Sequence, residues 1–142
     1  MTTQHIVCPS CNAVNRVAQG REPEATCGKC GSLLFQPSPL SLTRDSFDRQ
    51  VGRSDVPVLV DFFSPTCGPC QMMAPQFGEA AAYLYPRMRL AKVDTSQEQA
   101  LAARFSIRSV PTLILFRGGR EVARQSGAMS AGDIAAWAGQ HA

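Results

Sequence analysis

The chain carries one tryptophan, two tyrosines and two histidines among 142 residues, and only 18% of it is charged. No apolar run approaches the roughly 20 residues of a membrane-spanning helix, so no such helix is expected. There is no long basic run, and a net charge of +3 does not call for nucleic acid or a membrane as partner. The opening MTTQHIVCPS lacks the basic patch and apolar core of a secretory leader, and Met1 speaks against a trimmed form. A cytoplasmic protein is therefore expected. No glycine-rich nucleotide fingerprint occurs, so no nucleotide is expected to bind this chain. No apolar stripe is left over once the elements below are assigned, which points to a monomer.

What is present is cysteine. All six fall in C-x-x-C pairs: Cys8 with Cys11, Cys27 with Cys30, and Cys67 with Cys70. Stable structural disulfides belong mainly to oxidising compartments. In a chain without an export signal, paired cysteines are more often metal ligands or redox catalysts. Metal and redox roles are favoured here over a disulfide scaffold.

The first 36 residues hold four of the six cysteines, several turn formers and few long apolar runs. QPSPL follows, with two prolines and a serine, and reads as a short, stiff linker. The organisation expected is a module over 1–36, a linker and first strand over 37–41, and a main domain over 42–142. In that domain, PVLVDFF (57–63) is dense enough to be a strand buried on both faces. A helix over about 68–85 follows, bent at Pro75. MRLAKVD (88–94) reads as a second strand. Thr95 to Glu98 fits a capping box that opens a short helix through Arg104. TLILFR and REVARQS flank Gly118-Gly119 as a hairpin. Ser130 to Asp133 repeats the capping box before a last helix ending near Gly139. Thr43 caps a helix over 44–52, with LSL before it as an edge strand. The only tryptophan, Trp137, is expected in the core. The fold class is α/β: a mixed central sheet with helices on both faces, plus a small N-terminal module.

Cys67 then falls just after a buried strand, at the start of a helix. Helix N-termini carry partial positive charge and free N–H groups, which stabilise a thiolate. This makes Cys67 the attacking sulfur. Cys70, one turn on and more buried, is placed to resolve a mixed disulfide. Pro69 suits the first turn, where its missing N–H would be unpaired anyway. Half of a metal site is the competing reading, but no further ligands lie nearby in sequence.

VLVDFFSPTCGPCQMMAP, AKVD, RFSIRSVPTLILFRGG and SGA together resemble the thioredoxin family, over about residues 40 to 142. The resemblance implies the thioredoxin fold and a protein-disulfide reductase that is restored by an NADPH-dependent thioredoxin reductase. It implies that Asp61 is a buried carboxylate moving a proton to and from Cys70. Burial of a lone Asp inside VLVDFF should raise its pKa, which suits that task. Lys92, in the neighbouring strand, is the candidate ion partner and is counted with the catalytic group. The resemblance also implies a cis Val110–Pro111 bond packed against the cysteines. Val110, Pro111 and Thr112 would then line a groove for an extended peptide, beside Thr66, Gly68 and Pro69. Gly127 would let the substrate chain approach closely, or is simply a turn.

There are departures from the family pattern. Thr66 stands where tryptophan usually precedes the first cysteine, Phe63 where a second tryptophan is common, and Gln71 where Lys or Arg is common. Altered substrate preference is expected, with the chemistry kept.

The two N-terminal pairs have the spacing of a four-cysteine zinc ribbon. Each C-x-x-C forms a knuckle, and Cys8, Cys11, Cys27 and Cys30 complete a closed tetrahedron. That argues for one structural Zn2+. Gly28 and Gly31 are expected to give the knuckles their freedom, and His5 is a conceivable further ligand that the site does not need. So short a segment has little core, so the metal should supply its stability. CPSCNAVNRV and CGKCGSLLF are similar to the zinc-bearing bacterial thioredoxin-2 type of the family. A rival reading makes this module the point: a zinc-based redox sensor or a redox-regulated chaperone whose N-terminal module binds partners.

Overall fold

Residue parity along the buried strands fixes the layering. The computed structural model describes residues 2–142. β1 (Thr3–Val7) and β2 (Val14–Ala18) pair as a separate antiparallel ribbon. The chain continues through β3 (Leu40–Ser41), α1 (Arg44–Gly52), β4 (Val58–Phe63), α2 (Gly68–Leu84), β5 (Arg89–Asp94), α3 (Gln99–Arg104), β6 (Thr112–Arg117), β7 (Arg120–Ser126) and α4 (Ala131–His141). The five later strands form one sheet in the order β3-β5-β4-β6-β7. β3 and β4 run parallel to β5, whereas β6 is antiparallel to both β4 and β7.

Alternation sends Val58, Val60 and Phe62 of β4 to one face, against Phe47 and Val51 of α1 and Leu101 of α3. Leu59 goes to the other face, with Met73, Phe77 and Leu84 of α2 and Ile134 and Ala138 of α4. Each of these side chains larger than alanine contributes roughly 1.5–3 kcal/mol on leaving water. Asp61 is two residues from Leu59 and shares its face. The sheet therefore delivers a carboxylate to the underside of α2.

Most expected elements are present within a residue or two. The capping box at Thr95–Glu98 is not. Residues 95–97 form a turn and α3 starts only at Gln99. Asp94 Oδ1 accepts from the N–H and the hydroxyl of Ser96 at 2.9 and 2.6 Å, which turns the chain away from helix. Glu98 instead accepts from the N–H of Arg44, at the start of α1, at 2.6 Å. α4 is properly capped: Ser130 Oγ accepts from the N–H of Asp133 at 3.2 Å. The helix runs to His141, past the expected end at Gly139. Trp137 is only partly buried, resting on the core from α4.

The ribbon is seated directly on the larger sheet domain. The C=O of His5 accepts from the N–H of Asp55 at 2.7 Å, and the N–H of His5 donates to the Asp55 carboxylate at 2.6 Å. The Val7 N–H donates to Ser54 Oγ at 3.2 Å. Ile6, Leu34 and Phe35 share a small core with Val56 and Tyr85. Arg89, at the start of β5, is buried beneath this seat. Its Nη1 donates to the Val7 C=O at 2.6 Å and to Gln50 Oε1 at 2.9 Å, and its Nη2 donates to the Leu34 C=O. Burial lowers its pKa to about 10, which still leaves a cation at neutral pH.

The β6–β7 hairpin turns through Gly118 and Gly119, with φ of 59° and 82°. A Cβ on Gly119 would also meet Gly52 Cα at 3.2 Å, whereas one on Gly118 meets nothing. Gly119→Ala is expected to cost roughly 1–3 kcal/mol, read as a lower urea midpoint, because both the left-handed backbone and the space forbid it. Gly118→Asn should cost clearly less, since asparagine tolerates that conformation. Equal losses at the two positions would contradict this account.

Candidate active site and candidate metal centre

β4 delivers the chain to Ser64-Pro65-Thr66, and Cys67 then acts as the N-cap of α2. Its backbone is extended, with φ −92° and ψ 123°, and its Sγ accepts from the Cys70 N–H at 3.2 Å. Sulfur does here what a Ser or Asp oxygen does at other helix starts. Pro69 sits inside the first turn, where no N–H is required. Cys67 is partly exposed, with Gly68 and Pro69 beside it in solvent; Cys70 is buried. Burial, and then the Cys67 sulfur beside it, raise the Cys70 thiol to about 11.

Across the groove, Cys67 Sγ lies 3.7 Å from the Val110 C=O. The Val110–Pro111 bond is cis. The Gly127 N–H donates to the Pro111 C=O at 2.9 Å, and Gly127 has φ 98° with nothing near its missing Cβ. Its glycine thus answers to backbone conformation rather than to crowding. Cys67, Val110, Pro111 and Gly127 meet at one end of the sheet. Thr112 does not line the groove with its side chain: its hydroxyl is buried, donating to the Ser109 C=O at 2.7 Å beside Ser126 Oγ. Thr66 is exposed, with its hydroxyl 3.2 Å from Ser64 Oγ. Gln71 reaches back to donate to the Pro65 C=O at 2.8 Å. With the Thr66 N–H donating to Ser64 Oγ at 3.4 Å, three polar contacts fix the loop ahead of the cysteine.

Asp61 is 1% exposed, and its Oδ1 is a buried oxygen with no hydrogen-bond partner. Burial raises its pKa from the ordinary 3.8 to about 7, opposed only in part by the charge of Lys92. Lys92 is level with Asp61 in the β4–β5 register, but no ion pair joins them among the described residues. Its ammonium stands 4.7 Å over the Phe63 ring instead. A cavity of about 90 Å³ is lined by Asp61, Cys70 and Lys92, among others. That space is ample for a water between the carboxylate and the thiol.

The four N-terminal sulfurs form a second constellation. All lie within 4.8 Å of one another, with Cys8–Cys30 and Cys11–Cys27 at 3.6 Å. A tetrahedron of ~2.3 Å metal–sulfur bonds has edges of about 3.8 Å, so the donor set fits a metal ion such as zinc. The two knuckles repeat one design. The N–H of Asn12 returns to the Cys8 C=O and that of Gly31 to the Cys27 C=O, with φ of 63° and 80° at those residues. Gly31 therefore supplies a needed left-handed residue, but Gly28 does not; Asn12 fills the equivalent role in the first knuckle. Ser10 and Lys29 N–H groups donate to Cys8 and Cys27 Sγ at 3.4 and 3.3 Å. His5 is outside the cluster, its ring turned to Asp55 at 3.1 Å.

Comparison with known proteins settles the family. The thioredoxin family pattern matches residues 38–140. Thioredoxin C-3 of Corynebacterium nephridii is 40% identical over 136 residues, which span 95% of this chain and 93% of that one. The chain belongs to the thioredoxin family. A thioredoxin of Haemophilus influenzae is 38% identical over 72% of this chain and 95% of its own, and thioredoxin 1 of a Nostoc species is 43% identical over 62% and 82%. The first of these matches takes in the four-cysteine segment as well as the thioredoxin domain. The activity class is thiol–disulfide oxidoreduction.

Sequence reasoning missed the residues that brace the two sites: Gln71 on the loop, Asn15 on Cys27, and Gln50 and Arg89 beneath the ribbon. Asn15 Nδ2 lies 3.5 Å from Cys27 Sγ, and its Oδ1 accepts from the Gly28 N–H. Gln71 left a signal as a departure from the family pattern, and Arg89 as a charge at the start of β5.

The raised pKa of Asp61 makes the stability of this chain pH-dependent with a definite sign. Between about pH 4 and pH 7 the unfolded chain gives up a proton that the folded chain keeps. Stability therefore falls across that window, by roughly 4 kcal/mol in full. Asp61→Asn is expected to be more stable than wild type at pH 8 by up to that amount, with the gain vanishing near pH 4, while disulfide reduction slows. A gain that is the same at both pH values would show that Asp61 is not buried against its charge.

Proposed function

We propose that this thioredoxin reduces protein disulfides through Cys67 and Cys70. The observation that carries the reading is the capping geometry: a partly exposed sulfur taking the Cys70 N–H at a helix start, one turn from a buried thiol. Cys67 thiolate attacks one sulfur of a substrate disulfide and forms a mixed disulfide, and the substrate's other sulfur leaves as a thiolate. Asp61, through water in the cavity beside it, takes the Cys70 proton. Cys70 then attacks Cys67 sulfur, closes the Cys67–Cys70 disulfide and frees the second substrate thiol. Two electrons pass to the substrate. An NADPH-dependent thioredoxin reductase returns them to the protein. Lys92 tunes the carboxylate by its charge rather than by direct contact. The backbone of Val110 to Thr112 and the open surface at Thr66, Gly68, Pro69 and Gly127 receive the substrate chain.

Cys8, Cys11, Cys27 and Cys30 hold one structural Zn2+. Four thiolates leave no open position, so the ion supplies cross-linking rather than catalysis. The division of labour follows the chain: a zinc module over 1–36, a connection over 37–41 and the catalytic domain over 42–142. A cytoplasmic location suits a protein whose four zinc cysteines must stay reduced and whose Cys67–Cys70 pair starts each cycle as a dithiol.

The test is turnover with NADPH, a thioredoxin reductase and a disulfide-containing protein. Cys67→Ser is expected to abolish it. Cys70→Ser should accumulate a mixed disulfide with the substrate that a strong reductant releases. Full turnover by Cys67→Ser would refute the assignment.

A further inference from the structure

Arg89 is a buried cation without an anion. Its three hydrogen-bond partners, the Val7 and Leu34 carbonyls and the Gln50 amide, are all neutral, and among the described residues no carboxylate is within ion-pair reach. The Phe35 ring, 5.7 Å from its Cζ, adds only a weak attraction. Holding a guanidinium out of water without a counter-ion is costly, and an apolar side chain of similar volume would avoid that cost.

Its surroundings indicate where the balancing charge resides. Val7 immediately precedes the first ligand, Cys8. Gln50, the partner of Arg89, also donates to the Cys8 C=O at 2.8 Å and to Asn12 Oδ1 at 2.7 Å. One hydrogen-bonded net thus runs from β5 through α1 into the first knuckle. A divalent ion on four thiolates carries a net charge of about −2. We propose that Arg89 is the counter-cation of the metal centre, so that metal binding and the seating of the ribbon on the thioredoxin domain are one coupled event. This rests on the reading that the four cysteines hold zinc. Loaded, the centre gives Arg89 the anion it lacks. Stripped, nothing holds the four sulfurs together as one fixed anion beside the first knuckle, the guanidinium loses that counter-charge, and the seat at Ser54 to Val56 loses its support. Arginine suits the position because one planar fork reaches three acceptors, which an ammonium cannot do in fixed geometry.

The full chain is used for the test. Metal content of the wild type comes first: without one zinc per chain after gel filtration, both the zinc reading and this proposal fall. With zinc present, wild type and Arg89→Met are unfolded in urea, loaded and after chelation. The expected result is a clear loss of midpoint in the loaded variant and little or no loss in the stripped one. Zinc transfer to a chromophoric chelator should be about tenfold faster or more from the variant. Arg89→Lys, which keeps the charge, should hold zinc better than Arg89→Met. Equal midpoint losses in both states, unchanged zinc transfer, or a lysine variant as leaky as the methionine one would overturn the proposal while leaving the zinc site intact. Should Arg89→Met fail to fold, hydrogen exchange on the wild type decides. Chelation should expose the amides of 54–56 along with those of the ribbon, and amides there that stay protected count against it.

Discussion

Asp61 is a carboxylate kept from water with one oxygen unsatisfied, and much of the molecule is arranged around that fact. Strand parity sends it under α2, the two flanking strands close its sides, and α2 roofs it. The same roof begins at Cys67 and carries Cys70 down to the carboxylate. A charged group in this position opposes folding above its raised pKa, so the surrounding core must hold it there. What the arrangement gains is a proton acceptor whose affinity lies near neutrality, next to a thiol whose own affinity burial has raised. On the proposed reading, the two shifts act together to let a proton leave Cys70 as its sulfur attacks.

The loop ahead of Cys67 reaches order by an unusual means for its family pattern. A large aromatic would shield the sulfur and pin the loop by packing. Here Ser64, Thr66 and Gln71 pin it with hydrogen bonds and leave the rim small and polar. Positioning of the sulfur is retained by its own cap to Cys70. The neighbourhood a substrate meets is what changes.

The fold and the grouping of the cysteines were legible in the sequence to the extent that they are local. PVLVDFF announced a buried strand, Gly118-Gly119 a hairpin, and three C-x-x-C pairs two kinds of site. Asp61 was legible because a lone acid in an apolar run must be explained. The Thr95–Glu98 capping box failed because Asp94, at the strand end, competed for the same turn, and Glu98 had a partner 54 residues away in α1. Strand pairing turns the Thr112 hydroxyl inward, which leaves its backbone as what it can offer at the groove. The seat of the ribbon was not legible. It depends on Gln50 and Arg89 meeting Val7, Cys8 and Leu34, contacts between segments far apart in the chain.

The outer strands of the sheet have a consequence for how the protein behaves in a crowd. β3 is only two residues long, too short to template another strand. β7 pairs with β6 but slips register between Leu115 and Phe116, leaving Val122 as an extra residue that kinks the strand. Along its exposed stretch it presents Arg120, Glu121 and Arg124, the last two locked by a two-pronged contact at 2.7 and 2.8 Å. A neighbouring chain seeking to extend the sheet would meet charge and a bend instead of a flat ladder. If the proposed function brings extended substrate chains to the groove beside Cys67, blunted edges give those chains no flat ladder on which to stack.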